Sequence, residues 1–371
     1  MGNLVITSDF HLGISVDSKI EKNGLPTKTE EVLKNIYFIA NYCHENGCKL
    51  IILGDIFHTN KPDPIFLTKF IEFLNFLKSL NVQTYIIPGN HDCNSFFDGA
   101  MDPIAMLDYK NIKVILDIEK QFINDINCIF VPYTQEYSAS DAIFSIQRHI
   151  TKKSSNIVFC HHTIDGAVVG AERKIMRGKD YKLNKIEKVD LVISGHVHKY
   201  QTFSNNKIPV IYCGSPIQFD VTERNDKKGF VELNKKLEYK FHELEVTKYK
   251  KVQIDFTEEI SVSVLEYYAK KCHNCIAYIE IKVTNENKKI LNLNDVRDIF
   301  GKYVKSISKI IINCIDFETN KTEIKKNKSV KDMMSDFLKD KLKNKKLQYA
   351  LKECNKIIDM SYDNYKFEQE S

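Results

Sequence analysis

Residues 85–94 read YIIPGNHDCN, an apolar run that stops at Pro88-Gly89 and gives way to Asn90, His91 and Asp92. Three side chains able to bind protons or metals have no packing reason to follow a buried strand. Four other apolar runs end the same way. SDFHLG supplies Asp9 and His11, GDIFH supplies Asp55 and His58, FCHHT supplies His161 and His162, and SGHVH supplies His196 and His198. In α/β sheets, ligands bind in the crevice beyond the carboxyl ends of the strands, so residues far apart in sequence meet there. The spacing agrees: in DFH and HVH the polar residues are two apart, and on extended backbone such residues share a face. A glycine precedes Asp55, Asn90 and His196, where the backbone has to turn sharply and approach a ligand. Asp, Asn and His without a thiolate form a donor set for hard or borderline divalent ions, with Mn2+, Fe2+ and Zn2+ the candidates. Seven or eight such donors are too many for one tetrahedral site and suit two ions sharing a bridge.

Up to about residue 235 the pattern alternates. Short apolar runs at Leu4–Ile6, Leu50–Leu53, Tyr85–Ile87, Ile157–Phe159, Leu191–Ile193 and Val210–Tyr212 predict strands. TEEVLKNIYFIANYCHENG, with Val32, Ile36, Ile39, Ala40 and Cys43 at helical spacing and Gly47 as terminator, predicts a helix. DPIFLTKFIEFLNFLKSLN predicts a second, with Asp63 as N-cap and Pro64 in the first turn. Such alternation implies an α/β domain with a parallel or mixed sheet. From about 250 to 320 the composition shifts to a small α+β unit without catalytic-looking residues. Residues 321–371 carry 13 Lys and 9 acidic residues on a helical apolar period (Val330, Met333, Met334, Phe337, Leu338), which predicts amphipathic helices.

At 371 residues the chain has room for one large domain and one or two smaller ones. A hydrophobic fraction of 43% and a charged fraction of 28% are those of an ordinary globular protein, and a net charge of +5 names no partner. The opening MGNLVITSDFHLG has neither the basic nor the long apolar region of a secretory leader, and no apolar stretch reaches the ~20 residues of a membrane span. Ten cysteines, several inside apolar runs (Cys128, Cys160, Cys213, Cys314), predict buried thiols in a reducing compartment. The expected location is cytoplasmic, or nuclear in a eukaryotic host. Cys272 and Cys275 have zinc-knuckle spacing but lack the second pair of ligands a structural zinc site needs.

The series DFH, GD, GNHD, H and GHVH resembles the calcineurin-type metallophosphoesterase superfamily. That resemblance implies a four-layer αββα fold around a di-metal centre. GDIFH and GNHD depart from the Ser/Thr protein phosphatases, which typically have an Arg after the second motif and GNHE at the third. They are similar to the Mre-eleven/SbcD-type DNA repair nucleases, as is YCGSPIQFD (Tyr212 to Asp220) followed by KKGFVEL. The catalytic resemblance covers about residues 1–235, and the short chain with its helical tail is most similar to the compact nuclease subunits of phages.

By resemblance, Asp9, His11 and His198 hold a first ion, Asp55 bridges, and Asn90, His161 and His196 complete a second site, with Mn2+ the expected metal. His161 is preferred to His162 because the family ligand immediately follows its strand. His91 is the implied non-ligand catalytic histidine, oriented by Asp92, and His58 is implied to position the scissile phosphate. The implied organisation is a di-metal nuclease domain over 1–240, a small α+β capping domain over 250–320 that helps hold DNA, and a helical tail over 321–371 that docks on a Rad-fifty/SbcC-type ATPase. The resemblance also implies a homodimer and no membrane. The basic stretch GAERKIMRGKDYK (Arg173, Lys174, Arg177, Lys179) is expected to track the DNA backbone. The activity expected is duplex exonuclease and single-strand endonuclease in double-strand-break repair. Two alternatives are a phosphoesterase for a small molecule or protein, and a scaffold for the ATPase whose metal site is dispensable.

Overall fold

Strand β1 (Leu4–Thr7) is buried at every residue, and β2 (Lys49–Leu53) and β3 (Thr84–Ile87) run parallel beside it. Burial on both faces is why these segments read as continuous apolar runs. Their alternate residues belong to two different cores. Leu4, Ile6, Ile51, Leu53 and Ile87 point inward, against Ile157, Phe159, Leu191 and Ile193 of a second sheet. Val5, Leu50, Ile52 and Ile86 point outward, against Val32, Ile36, Phe70 and Leu74 of two covering helices. Those helices are α1 (Thr27–Glu45) and α2 (Pro64–Ser79). Pro64 occupies the first helical position as its fixed φ favours, and Asp63 is the N-cap residue, although its side chain makes no capping hydrogen bond.

This computed structural model describes residues 2–93, 104, 107, 109–133, 139–169, 173–174 and 186–315. Within them the first sheet is completed by β4 (Ile112–Val114), β13 (Gly229–Leu233) and β14 (Tyr239–Glu243), in the order β14-β13-β1-β2-β3-β4. The second sheet contains β5 (Glu119–Ile123), β6 (Ile126–Val131), β7 (Asn156–Cys160), β10 (Leu191–Ser194), β11 (Gln201–Asn205) and β12 (Ile208–Tyr212), ordered β11-β12-β10-β7-β6-β5. Its outer face packs Val158, Val192 and Val210 against Ala142 and Ile146 of helix α3 (Ala139–His149). The layers therefore run α-β-β-α. The short strands β8 (Val168–Val169) and β9 (Arg173–Lys174) pair antiparallel, which places Arg173 and Lys174 of the basic stretch on a strand; Arg177 and Lys179 lie outside the described residues.

Parallel pairing at the centre of both sheets puts the ends of β1, β2 and β3 opposite those of β7 and β10. Three of the four edges are antiparallel hairpins, β5-β6, β11-β12 and β13-β14, and the fourth, β4, pairs parallel with β3. Edge strands such as Glu119–Ile123 and Gln201–Asn205 bury alternate residues at most, so no apolar run announces them.

Beyond β14 a smaller layer pair has its own core around Ile254, Ile279, Ile281 and Phe300. It is more regular than the α+β expectation. Strands β15 (Tyr249–Phe256), β16 (Ile276–Val283) and β17 (Ser306–Cys314) are all parallel, joined by α4 (Val262–Lys271) and by α5 (Asn285–Ile290) with α6 (Leu293–Gly301). Parallel strands need crossovers, which these helices supply. The chain divides into two units, Met1–Ile315 and Asp316–Ser371. The second unit, with the amphipathic helices expected over 321–371, lies outside the described residues. Among the described residues no cysteine forms a disulfide, with Cys128, Cys160 and Cys213 buried as expected and Cys314 exposed, and no helix is long and apolar enough to cross a membrane.

A buried polar latch ties the small sheet to the large domain. The Lys28 ammonium donates to the Phe219 carbonyl (2.5 Å) and to the Tyr249 hydroxyl (2.6 Å), and that hydroxyl lies 2.8 Å from an Asp17 carboxylate oxygen. Ser306 at the start of β17 donates to the Asp17 carbonyl (3.0 Å). Removing the shared oxygen leaves a buried ammonium short of a partner, which typically costs about 1–3 kcal/mol. Tyr249→Phe is expected to lower unfolding stability by about that amount in urea titrations. An unchanged midpoint would show that the latch contributes nothing.

Candidate metal centre

The five polar strand ends converge. Asp9, His11, Asp55 and His196 all have positive φ (57°, 45°, 50° and 78°), a conformation that costs a non-glycine residue about 1–3 kcal/mol and that clusters at functional sites. The backbone leaves each strand in a left-handed turn that aims the side chain across the sheet ends. Of the three glycines singled out by position, only Gly54 needs this conformation (φ 81°). Gly89 and Gly195 serve close approach instead. A Cβ on Gly89 would strike Asp55 and His161, and one on Gly195 would strike Ser8, the Leu53 carbonyl and His161.

Two donor groups that include a carboxylate form, Asp9–His11–His198 and Asp55–His161–His196, each with its ligand atoms within 4.8 Å of one another, and His11 also belongs to a third, all-histidine group with His58 and His91. Nε2 of His11 faces Nε2 of His198 at 3.0 Å, a separation two lone pairs reach only with a proton or a cation between them. A single oxygen of Asp55, Oδ2, lies 3.5 Å from His11 and 3.3 Å from His161, between the two groups. Asn90 Oδ1 completes the second group, 3.2 Å from His161 Nε2 and 2.8 Å from His196 Nδ1. His162 belongs to neither. Its backbone N–H donates to Ser194 Oγ (3.1 Å) and its ring lies beside Tyr133.

Electrostatics fit a place for cations. Burial, reinforced by neighbouring histidines, holds His11 well below its usual range and His196 down at about 4, so both offer neutral nitrogen lone pairs. Burial pushes His162 to about 3. His161 goes the other way: burial lowers it, but the Asp55 charge and hydrogen bond outweigh this and bring it to about 9. Asp55 is correspondingly held below the carboxylate range, because His161 overcomes the upward push of burial. A buried anion here requires a positive partner, and His161 supplies it with a proton where a cation would serve. The nitrogen and oxygen donors, without a thiolate, suit divalent ions of the Mn2+, Fe2+ or Zn2+ kind.

His91 and His58 stand beside the first group. The His91 ring is 4.8 Å from that of His11 and stacks on His58 at 5.8 Å. The expected Asp92–His91 pairing is not what the structure has. His91 Nδ1 meets the His58 carbonyl at 2.8 Å. Asp92 is fully buried and accepts backbone N–H groups from Gly89 (2.8 Å), Phe57 (3.0 Å) and Ile56 (3.2 Å). It clamps the turn after β2 to the turn after β3, because a buried carboxylate needs several donors and three backbone amides are aimed at it. The His91 backbone N–H in turn donates to Asp55 Oδ1 (2.9 Å).

Sequence reading passed over Glu223 and Lys228. Glu223 Oε1 lies 2.8 Å from His198 Nδ1, and its other oxygen accepts from the buried Lys228 ammonium at 2.7 Å. In DVTERNDKK they look like members of a solvated charge run.

With this geometry in hand, the chain's family follows from comparison. A family description of calcineurin-like phosphoesterases matches residues 2–200, more than half the chain. The chain belongs to the calcineurin-like phosphoesterase family. This family's fold binds divalent metals, and the Asp and His groups described above could hold such an ion. Among curated relatives, the chain is 22% identical over 290 residues to the DNA double-strand break repair protein Mre11 of Archaeoglobus fulgidus, covering 70% of this chain and 62% of the relative. It is 22% identical over 255 residues to the SbcD component of the nuclease SbcCD of Staphylococcus epidermidis, covering 61% and 64%. It is also 22% identical over 225 residues to a probable cyclic nucleotide phosphodiesterase of Vesicomyosocius okutanii, covering 59% and 88%. The chain thus spans less than two thirds of the first two relatives.

Asp55→Ala is expected to weaken both ions, whereas Asp9→Ala weakens one. Mn2+ titration with a count of ions per chain measures this. Two tightly bound ions retained by Asp55→Ala would show that Asp55 is no bridge.

Proposed function

We propose that this metallophosphoesterase cleaves the phosphodiester backbone of DNA as the nuclease subunit of a repair or recombination complex. One observation carries the phosphoesterase part: a single Asp55 oxygen sits between two histidine-rich donor groups, with His91 beside them and outside both. The DNA part is supported by two relatives, one a DNA double-strand break repair protein and the other a nuclease subunit. The longer of those likenesses runs over 290 residues, past the 2–200 that define the family and beyond the 225 shared with the cyclic nucleotide phosphodiesterase relative.

Two divalent ions, Mn2+ in this proposal, would be held by Asp9, His11 and His198 and by Asn90, His161 and His196, with Asp55 shared; when bound they supply Lewis acidity toward the phosphodiester and a nucleophile at neutral pH. The chain's own residues do the rest. His91 Nδ1 donates its proton to the His58 carbonyl, so Nε2 is the nitrogen that exchanges a proton with the leaving oxygen. The His58 ring, stacked on His91, limits its rotation and lies where it can position the phosphate. Asp92 keeps the two turns carrying these groups in register. Recognition through the backbone needs no base-reading motif.

The proposal extends to assembly as a compact nuclease of the phage type: a homodimer, with the 250–320 region helping to hold DNA and residues 321–371 docking on a Rad-fifty/SbcC-type ATPase. A second reading, turnover of a cyclic nucleotide or another small phosphoester, is favoured by the 88% coverage of the third relative. Digestion of linear duplex DNA with Mn2+, beside cyclic nucleotides and phosphomonoesters, separates the two. Turnover of the small esters without DNA cleavage would select the second.

His91→Ala is expected to leave Mn2+ and DNA affinity near wild type and to lower turnover by about 10²–10⁴, the usual scale of a general acid contribution. Equal loss of metal would make His91 a ligand. Deleting residues from Lys328 onward is expected to spare Mn2+-dependent cleavage of short DNA and abolish co-purification with the ATPase, and the double substitution Phe337→Glu/Leu338→Glu is expected to reproduce that loss. Retained association by the truncated chain would overturn the docking role.

A further inference from the structure

The two donor groups are alike in their ligand atoms and differ in what stands behind them. In the second group, His161 Nδ1 lies 2.5 Å from the Leu53 carbonyl, a neutral backbone acceptor. In the first, His11 Nδ1 is buried without a hydrogen-bond partner. His198 Nδ1 faces a carboxylate, Glu223 Oε1, at 2.8 Å. Among the described ligand histidines, His198 alone is backed by an anion.

Glu223 is itself held fast. Its second oxygen accepts from the Lys228 ammonium (2.7 Å) and the Phe219 backbone N–H (2.9 Å). The Lys228 side chain is fully buried, and its donors are taken up by Glu223, by Ser215 Oγ (3.0 Å) and by the backbone carbonyl of His198 (2.8 Å). Lys228 therefore grips His198 at its main chain and, through Glu223, at its ring. The ring of Phe219 packs against both His11 (5.1 Å) and His198 (5.0 Å), so this one segment walls the first donor group. An ionised carboxylate accepts only, so it keeps the proton of His198 on Nδ1 and frees the Nε2 lone pair that points at His11. It also makes the imidazole a stronger donor toward a cation, and partners of this kind typically change metal affinity 10–100-fold.

We propose that Glu223 and Lys228 act as a positioning pair that sets the cation affinity of the Asp9–His11–His198 group and leaves the Asn90–His161–His196 group unaffected. The inference rests on the two-ion reading of the site. Lys228 keeps Glu223 ionised and aimed; the pair together replaces the neutral carbonyl that serves His161, and makes the two positions unequal although their ligands are similar.

Isothermal titration of the full chain with Mn2+ tests this. Wild type is expected to take up two ions in separable steps. Glu223→Gln weakens one step about 10–100-fold and leaves the other at its wild-type value. Because that variant leaves the Lys228 ammonium buried without its counter-charge, the double variant Glu223→Gln/Lys228→Met is measured beside it. It removes both charges at similar volume, and it is expected to melt near wild type while showing the same loss in one step. Wild-type affinity for both ions in the variants would overturn the pair's role while the two-ion reading stands. Equal weakening of both steps, or failure of both variants to fold, would overturn it too, by assigning the pair to the fold as a whole. No Mn2+ uptake by wild type would overturn the two-ion reading and this inference with it.

Discussion

The Asp55 carboxylate is the constraint on which the rest of the site depends. An ionised group this deeply buried is costly unless charge and hydrogen bonds surround it. The protein surrounds it from several chain segments: the His91 N–H on one oxygen, and His11 and His161 around the other. Bringing those groups to one point demands that β1, β2, β3, β7 and β10 end together, and that the backbone leave three of those strands through left-handed turns. Packing density does the same work in a different way. Gly89 and Gly195 carry no side chain because Asp55, Ser8 and His161 already occupy that space.

The two-sheet architecture makes this convergence tolerable in free energy. Each central strand is buried on both faces, and the hydrophobic contacts of Ile51, Ile87, Phe159 and Ile193 hold the strand ends in register. A buried apolar side chain contributes about 1.5–3 kcal/mol. Several such strands therefore offset the strained turns and buried polar groups at their ends, which explains why the chemistry is placed at the edge of the inner core. Asp92 accepts from three backbone amides and so ties the turn after β2, whose Ile56 and Phe57 pack into the outer core, to the turn after β3.

The small three-stranded sheet is joined to this site through more than a linker. Phe219 touches the rings of His11 and His198, and its carbonyl accepts from Lys28, which also binds Tyr249 at the start of β15. The same residue thus faces the candidate metal centre with its ring and the small sheet with its backbone.

The residues that converge at the candidate site were legible in the sequence because polar side chains directly after apolar runs break the local pattern, and DFH, GD, GNHD, CHH and GHVH do so at five strand ends. Period and run length likewise disclosed β1, β2, β3, β7, β10, β12 and helices α1 and α2, whereas the fully buried β6 was not read as a strand. The antiparallel edges left none, since Glu119–Ile123 and Gln201–Asn205 are half solvated. Tertiary structure alone decided which neighbours the donors have. It turned Asp92 away from His91 toward backbone amides that exist only once two loops meet. It drew Glu223 and Lys228 out of an ordinary-looking charge run to stand behind His198. Local sequence specifies which atoms can bind a proton or a cation; the long-range approach of chain segments decides which of them are desolvated together, and desolvation gives those atoms their strength.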